Sequence, residues 1–152
     1  MEIISEIARK KGLDPELYLA DLISRGLDSR GRVDLYLRIH EELLGEADRE
    51  YAVNNLVQAS EKYWGAVAAL LNAIGELRSW ERHSHRDYAV IIERLADELG
   101  DNELRVLFDS VEKLHANFYH GFLDREGFDL RRSRALTLIG KLRNYINRSL
   151  AK

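Results

Sequence analysis

The stretch from Tyr63 to Ile74 limits the possible folds of this chain more than any other. Tyr63 to Leu71 is unbroken apolar sequence, Ala73 and Ile74 continue it, and Gly65, Ala66, Ala68, Ala69, Ala73 and Gly75 keep its profile thin. The periodic segment around it, about Leu56 to Ser79, reads as a helix. A helix that is apolar on nearly every face belongs in the middle of a fold, with neighbours packed close on several sides. Glu61 and Lys62 bring charge to its start, where each must be paired or solvated because burying a lone charge is prohibitive.

The rest of the chain supplies the neighbours. Short helices are predicted over 2–11 and 14–25, the second with Asp14 as N-cap and Pro15 at its first position, and Gly12 and Gly26 end them. Longer helices follow at 30–52, with Gly45 as a weak point, then at 85–99, 102–123 and 130–150. Asn54-Asn55, Gly100-Asp101-Asn102 and Asp124 to Asp129 mark the breaks between them. The expected fold is all-α: one domain over 1–152, an antiparallel four- or five-helix up-and-down bundle over 30–150, with a helical arm over 1–27.

Composition removes whole classes of alternative. The chain has 152 residues, enough for one self-sufficient core, and its 45% hydrophobic and 32% charged residues are far from a disordered composition. With no cysteine there is no disulfide, thiolate ligand or cysteine nucleophile. The acidic, amphipathic start does not read as a secretory signal, and no apolar run reaches the roughly 20 residues of a membrane span, so a cytoplasmic protein without membrane contact is expected.

Two segments place polar groups beside large aromatics inside helical sequence: Ala59-Ser60-Glu61-Lys62-Tyr63-Trp64-Gly65-Ala66 and Leu114-His115-Ala116-Asn117-Phe118-Tyr119-His120-Gly121. Both closely resemble stretches of the archaeal PaREP family: alanine-serine-glutamate-lysine then an aromatic, and leucine-histidine-x-asparagine-phenylalanine-tyrosine. Gly12-Leu13-Asp14 and Ser84-His85-Arg86 are similar to that family's N-terminal arm and to the opening of its third helix. That family is in turn similar to the helical HEPN superfamily, which implies a helical bundle, frequently homodimeric, often beside a nucleotidyltransferase or acting on RNA. Ribonucleases of the superfamily use an arginine, four to six residues and then a histidine; His120-Gly121-Phe122 resembles the end of that pattern, while His115 stands in the arginine's place.

Helical geometry sorts the candidates. His115 shares a face with Phe108, Val111, Phe118, Tyr119 and Phe122, so it points inward, as a core histidine bonded to a helix neighbour or to Glu61, or as a catalytic group. His120 lies about 140° around the axis and reads as a surface or interface residue, or as a general base. One metal cannot be held by both from an undistorted helix, and His83 with His85 has no further ligand at a recognised spacing, so neither metal nor cofactor is expected. Tyr63 and Trp64 read as core anchors.

From Leu130 onward the chain has seven basic residues and no acidic one, although its net charge is −3. Arg131, Arg134, Lys141, Tyr145 and Arg148 fall on one face, opposite the apolar stripe Ala135, Ile139, Leu142, Ile146 and Leu150. That stripe either contacts phosphate or answers the acidic surface of the same protein or its symmetry mate. The leading expectation is a homodimeric binding or regulatory module with a polar pocket of Glu61, Lys62, His85, His115 and Tyr119. The alternative is a metal-independent endoribonuclease, with catalytic candidates His120, His115, Asn117 and Tyr119, or an RNA-binding protein using the basic last helix.

Overall fold

In the computed structural model, which describes residues 2–152, the chain forms seven helices and no strand is present among those residues. They are α1 (Glu2–Lys10), α2 (Pro15–Ser24), α3 (Ser29–Ala52), α4 (Leu56–Arg78), α5 (His85–Leu99), α6 (Glu103–His120) and α7 (Arg125–Leu150).

Helix α4 is the axis of the packing. Every residue from Ala59 to Gly75 is buried except Lys62, and the helix touches α3, α5, α6 and α7. Small residues permit this. A Cβ on Gly65 would come within 3.0 Å of Leu43 on α3, and one on Gly75 would come within 2.9 Å of the Arg82 side chain. The pairings have definite directions. His40–Ala66 and Arg32–Glu76 bonds run α3 against α4, Ser60–Asn117 and Glu61–His115 run α4 against α6, and Ser110–Arg134 and Asp101–Lys141 run α6 against α7. The apolar side chains form a single core cluster reaching from Ala8 to Ile146.

Local chemistry sets the ends. The Asp14 side chain accepts from the Glu16 N–H at 2.8 Å with Pro15 beside it, and Ser84 accepts from the Asp87 N–H at 3.1 Å. Gly100 and Gly121 end α5 and α6 in the left-handed conformation, at φ +63° and +56°. Helix α3 runs unbroken through Gly45 as expected, because a single glycine costs a long packed helix only about 1 kcal/mol. Two boundaries differ clearly from expectation. Helix α6 stops at His120 instead of running to Leu123, because Gly121 turns left-handed and the Asn117 side chain takes the Leu123 N–H at 2.8 Å. Helix α7 starts at Arg125 instead of Leu130: Asp124 caps the Gly127 N–H at 2.7 Å, so the stretch expected as a break is the first turn of a helix.

Candidate polar site on the indole of Trp64

Antiparallel packing of α4 and α6 brings Glu61 and His115 together deep in the fold. Glu61 is 5% exposed and His115 is 9% exposed, and His115 Nδ1 lies 3.2 Å from Glu61 Oε2. A carboxylate only accepts, so the imidazole proton sits on Nδ1 and Nε2 is left over. Burial raises the Glu61 carboxyl pKa above its ordinary value, and the hydrogen bond and charge of His115 work against that rise.

The first turn of α5 contributes a second pair. His85 Nε2 lies 2.6 Å from Glu112 Oε2, and both side chains are partly open to solvent. Both imidazoles stack on the indole of Trp64, His115 with ring centroids 4.5 Å apart and His85 at 5.0 Å. The two imidazole centroids are 5.7 Å from each other, too close for opposite faces of the indole, so they lie side by side on one face. Tyr88 and Phe108 pack against the same indole, and Tyr119 meets His115 edge-on at 5.2 Å. Tyr119 is 43% exposed and forms the rim; burial and the charge of Glu61 raise its pKa.

The site therefore consists of two carboxylate–imidazole pairs on an aromatic floor, one pair sealed and one open. Each imidazole spends one ring N–H on a carboxylate, and in its neutral form keeps the other nitrogen as an acceptor. No group of three or more ligating side chains positioned for a metal ion exists among the described residues.

Glu61, His85, His115 and Tyr119 are thus brought together, but Lys62 is not. One residue on from Glu61, its ammonium turns to Glu46 at 3.1 Å and to Asp14 and Glu16 at 3.8 Å, tying α2 and α3 to α4. Burial disfavours that ammonium, but Asp14, Glu46 and Glu16 outweigh the effect and raise its pKa. Asn117 is also placed elsewhere. It is 1% exposed, donates to Ser60 Oγ at 2.9 Å and accepts from the Leu123 N–H, so both ends of its amide are committed to holding the end of α6. His120 is exposed at the last position of α6, with no hydrogen bond to its ring among the described residues.

The basic face of α7 is mostly engaged within the chain. Arg131 donates to the Gly127 carbonyl, Arg134 donates to Ser110 Oγ, Lys141 lies 2.7 Å from Asp101, and Tyr145 meets Arg78 and Glu98. Arg148 alone of the five named residues has no such partner among the described residues. The sequence reading missed Glu112. Its signal was its place three residues before His115, on the same side of one helix.

No helix is long and apolar enough to cross a membrane among the described residues. No curated protein and no solved structure matches the chain. The profile of the archaeal PaREP1/PaREP8 family matches residues 35–139, a span that contains Glu61, Trp64, His85, Glu112, His115 and Tyr119 and leaves out α1 and α2. That match covers well over half of the sequence, and the chain belongs to the archaeal PaREP1/PaREP8 family.

Proposed function

We propose that the protein is a binding or regulatory module whose ligand docks at the open edge of the paired carboxylate–imidazole site, and that it works as a homodimer with the antiparallel bundle architecture of HEPN-like proteins. The observation that carries the reading is the layout on Trp64: a buried Glu61–His115 pair that fixes its imidazole, beside a half-exposed His85–Glu112 pair that a ligand can reach. With one N–H of each imidazole already spent, the site favours ligands that present N–H or O–H donors. Exposed apolar side chains at Val53, Val57 and Phe122 support self-association, since Val57 lies against Gly121, next to Phe122. A nucleotidyltransferase or RNA partner accords with the superfamily resemblance.

The test is a titration of small amines, guanidines and carboxylic acids followed through the His85 and His115 ring signals, with sedimentation giving the oligomeric state. Donor-rich compounds are expected to shift both histidines in a dimeric protein, and His85→Ala, at a partly open position, is expected to abolish the shift without unfolding the chain. The opposite pattern would overturn the reading: silent imidazoles together with RNA cleavage that disappears in His120→Ala.

A further inference from the structure

Helix α5 begins at His85, in the Trp64 site, and ends at Leu99, about 20 Å further along its axis. At that far end a groove of about 840 Å³ is lined by side chains from the ends of α4, α5 and α7. Four of them are cations, Arg78, Lys141, Arg148 and Lys152, and two are carboxylates, Glu98 and Asp101.

The carboxylates are already answered. Arg78 bonds Glu98 at 2.8 Å and the Tyr145 hydroxyl, with its guanidinium 4.3 Å from the centre of the Trp80 ring. Lys141 bonds Asp101 at 2.7 Å, and that hydrogen bond holds the Asp101 carboxyl below its ordinary pKa, so the pair stays ionised at neutral pH. The side chains of Arg148 and Lys152 have no ion pair or hydrogen bond among the described residues. Two positive side-chain charges are therefore left over in the groove.

Asn144 and Arg148 are four residues apart on α7, so they share one side of the helix, a turn apart, and both line the groove. A guanidinium offers a planar fork of N–H donors that matches a phosphate, and a phosphate monoester carries about −1.5 to −2 at neutral pH, close to the surplus here. A bare phosphate would leave most of the space unfilled, since pockets of about 300–1,000 Å³ hold whole organic ligands. Leu99, 48% exposed, adds an apolar surface within the same groove.

We propose that this groove binds a phosphate monoester of about nucleotide size, its phosphate held by the Arg148 guanidinium and the Asn144 amide, and its apolar face laid on Leu99. Lys152 adds positive charge, while Arg78 and Lys141 keep the groove's own carboxylates from repelling the ligand.

The experiment titrates adenosine monophosphate, a pentose phosphate, inorganic phosphate and adenosine into the whole protein at neutral pH and low salt, with affinity from calorimetry and contacts from spectral shifts. Adenosine monophosphate is expected to bind about tenfold or more tightly than the other three and to weaken as salt is raised. It should move the Asn144 and Leu99 signals and leave the His85 and His115 rings unmoved. Arg148→Glu, at an exposed position, is expected to weaken that binding about tenfold or more while thermal unfolding of the free protein stays unchanged. Leu99→Ser is expected to bring adenosine monophosphate down to the level of the pentose phosphate. Equal affinity for all four compounds, binding indifferent to Arg148→Glu, or a single-stranded oligoribonucleotide bound where the mononucleotide is not would each overturn the proposal. The groove and the Trp64 site share no residue, so either reading can fail alone.

Discussion

Trp64→Ala is expected to be the most damaging single substitution in the molecule. The indole is fully buried and touches four other rings, those of His85, Tyr88, Phe108 and His115, which come from α5 and α6. Truncation to alanine removes the apolar contact and leaves a cavity that a helix already clasped on several sides cannot close, at a cost of about 3–5 kcal/mol. Domains of this kind are stable by only about 5–15 kcal/mol, so roughly a fifth or more of the margin goes. Urea unfolding checks the magnitude. The substitution should also blur the His85 and His115 ring signals together, since both rest on one surface; a loss below about 1 kcal/mol with both signals sharp would show that the indole is not their floor.

His115→Ala is expected to follow closely, by a different mechanism. It leaves the Glu61 carboxylate buried with its hydrogen-bond donor gone, and breaking one side of a buried pair costs about 3–5 kcal/mol. The pH dependence separates this from simple loss of packing. Burial already raises the Glu61 pKa above 4.5, and without His115 to oppose it the folded-state value climbs further. A carboxyl whose folded pKa exceeds its unfolded pKa binds protons preferentially in the folded state, so stability falls as pH rises through the window between the two values. The variant should therefore be most impaired at neutral pH and recover part of its stability as pH falls towards 4.5. Adding Glu61→Gln removes the orphaned charge, and the double variant should be more stable than His115→Ala alone at neutral pH. Strictly additive losses, unaffected by pH, would mean that the two side chains are not coupled.

The legible parts of the fold were those governed by local pattern. The burial of α4 follows from its composition, and the start of α2 follows from Asp14-Pro15. Asp124 was misread because an aspartate beside charged and glycine residues serves equally as a turn former and as an N-cap, and only the Gly127 N–H it receives decides between them. In the site, the inward direction of His115 came from helical spacing, and its position 3.2 Å from Glu61 came from the antiparallel pairing of α4 with α6. Lys62 was harder to place. Adjacent helix positions point about 100° apart, so a neighbour of Glu61 had to face a different helix, but the acids awaiting it come from α2 and α3, far away in sequence. The fate of the basic face of α7 was equally non-local, since Ser110, Asp101 and Glu98 belong to other parts of the chain.

The most direct test of the Trp64 site is a long-range proton–nitrogen spectrum of the histidine rings at neutral pH, collected with through-space contacts to the indole. The expected result is a His115 ring protonated at Nδ1 and a His85 ring protonated at Nε2, both showing contacts to Trp64. A His115 ring that exchanges freely between tautomers, or one without contact to Trp64, would contradict a buried carboxylate–imidazole pair fixed on that floor.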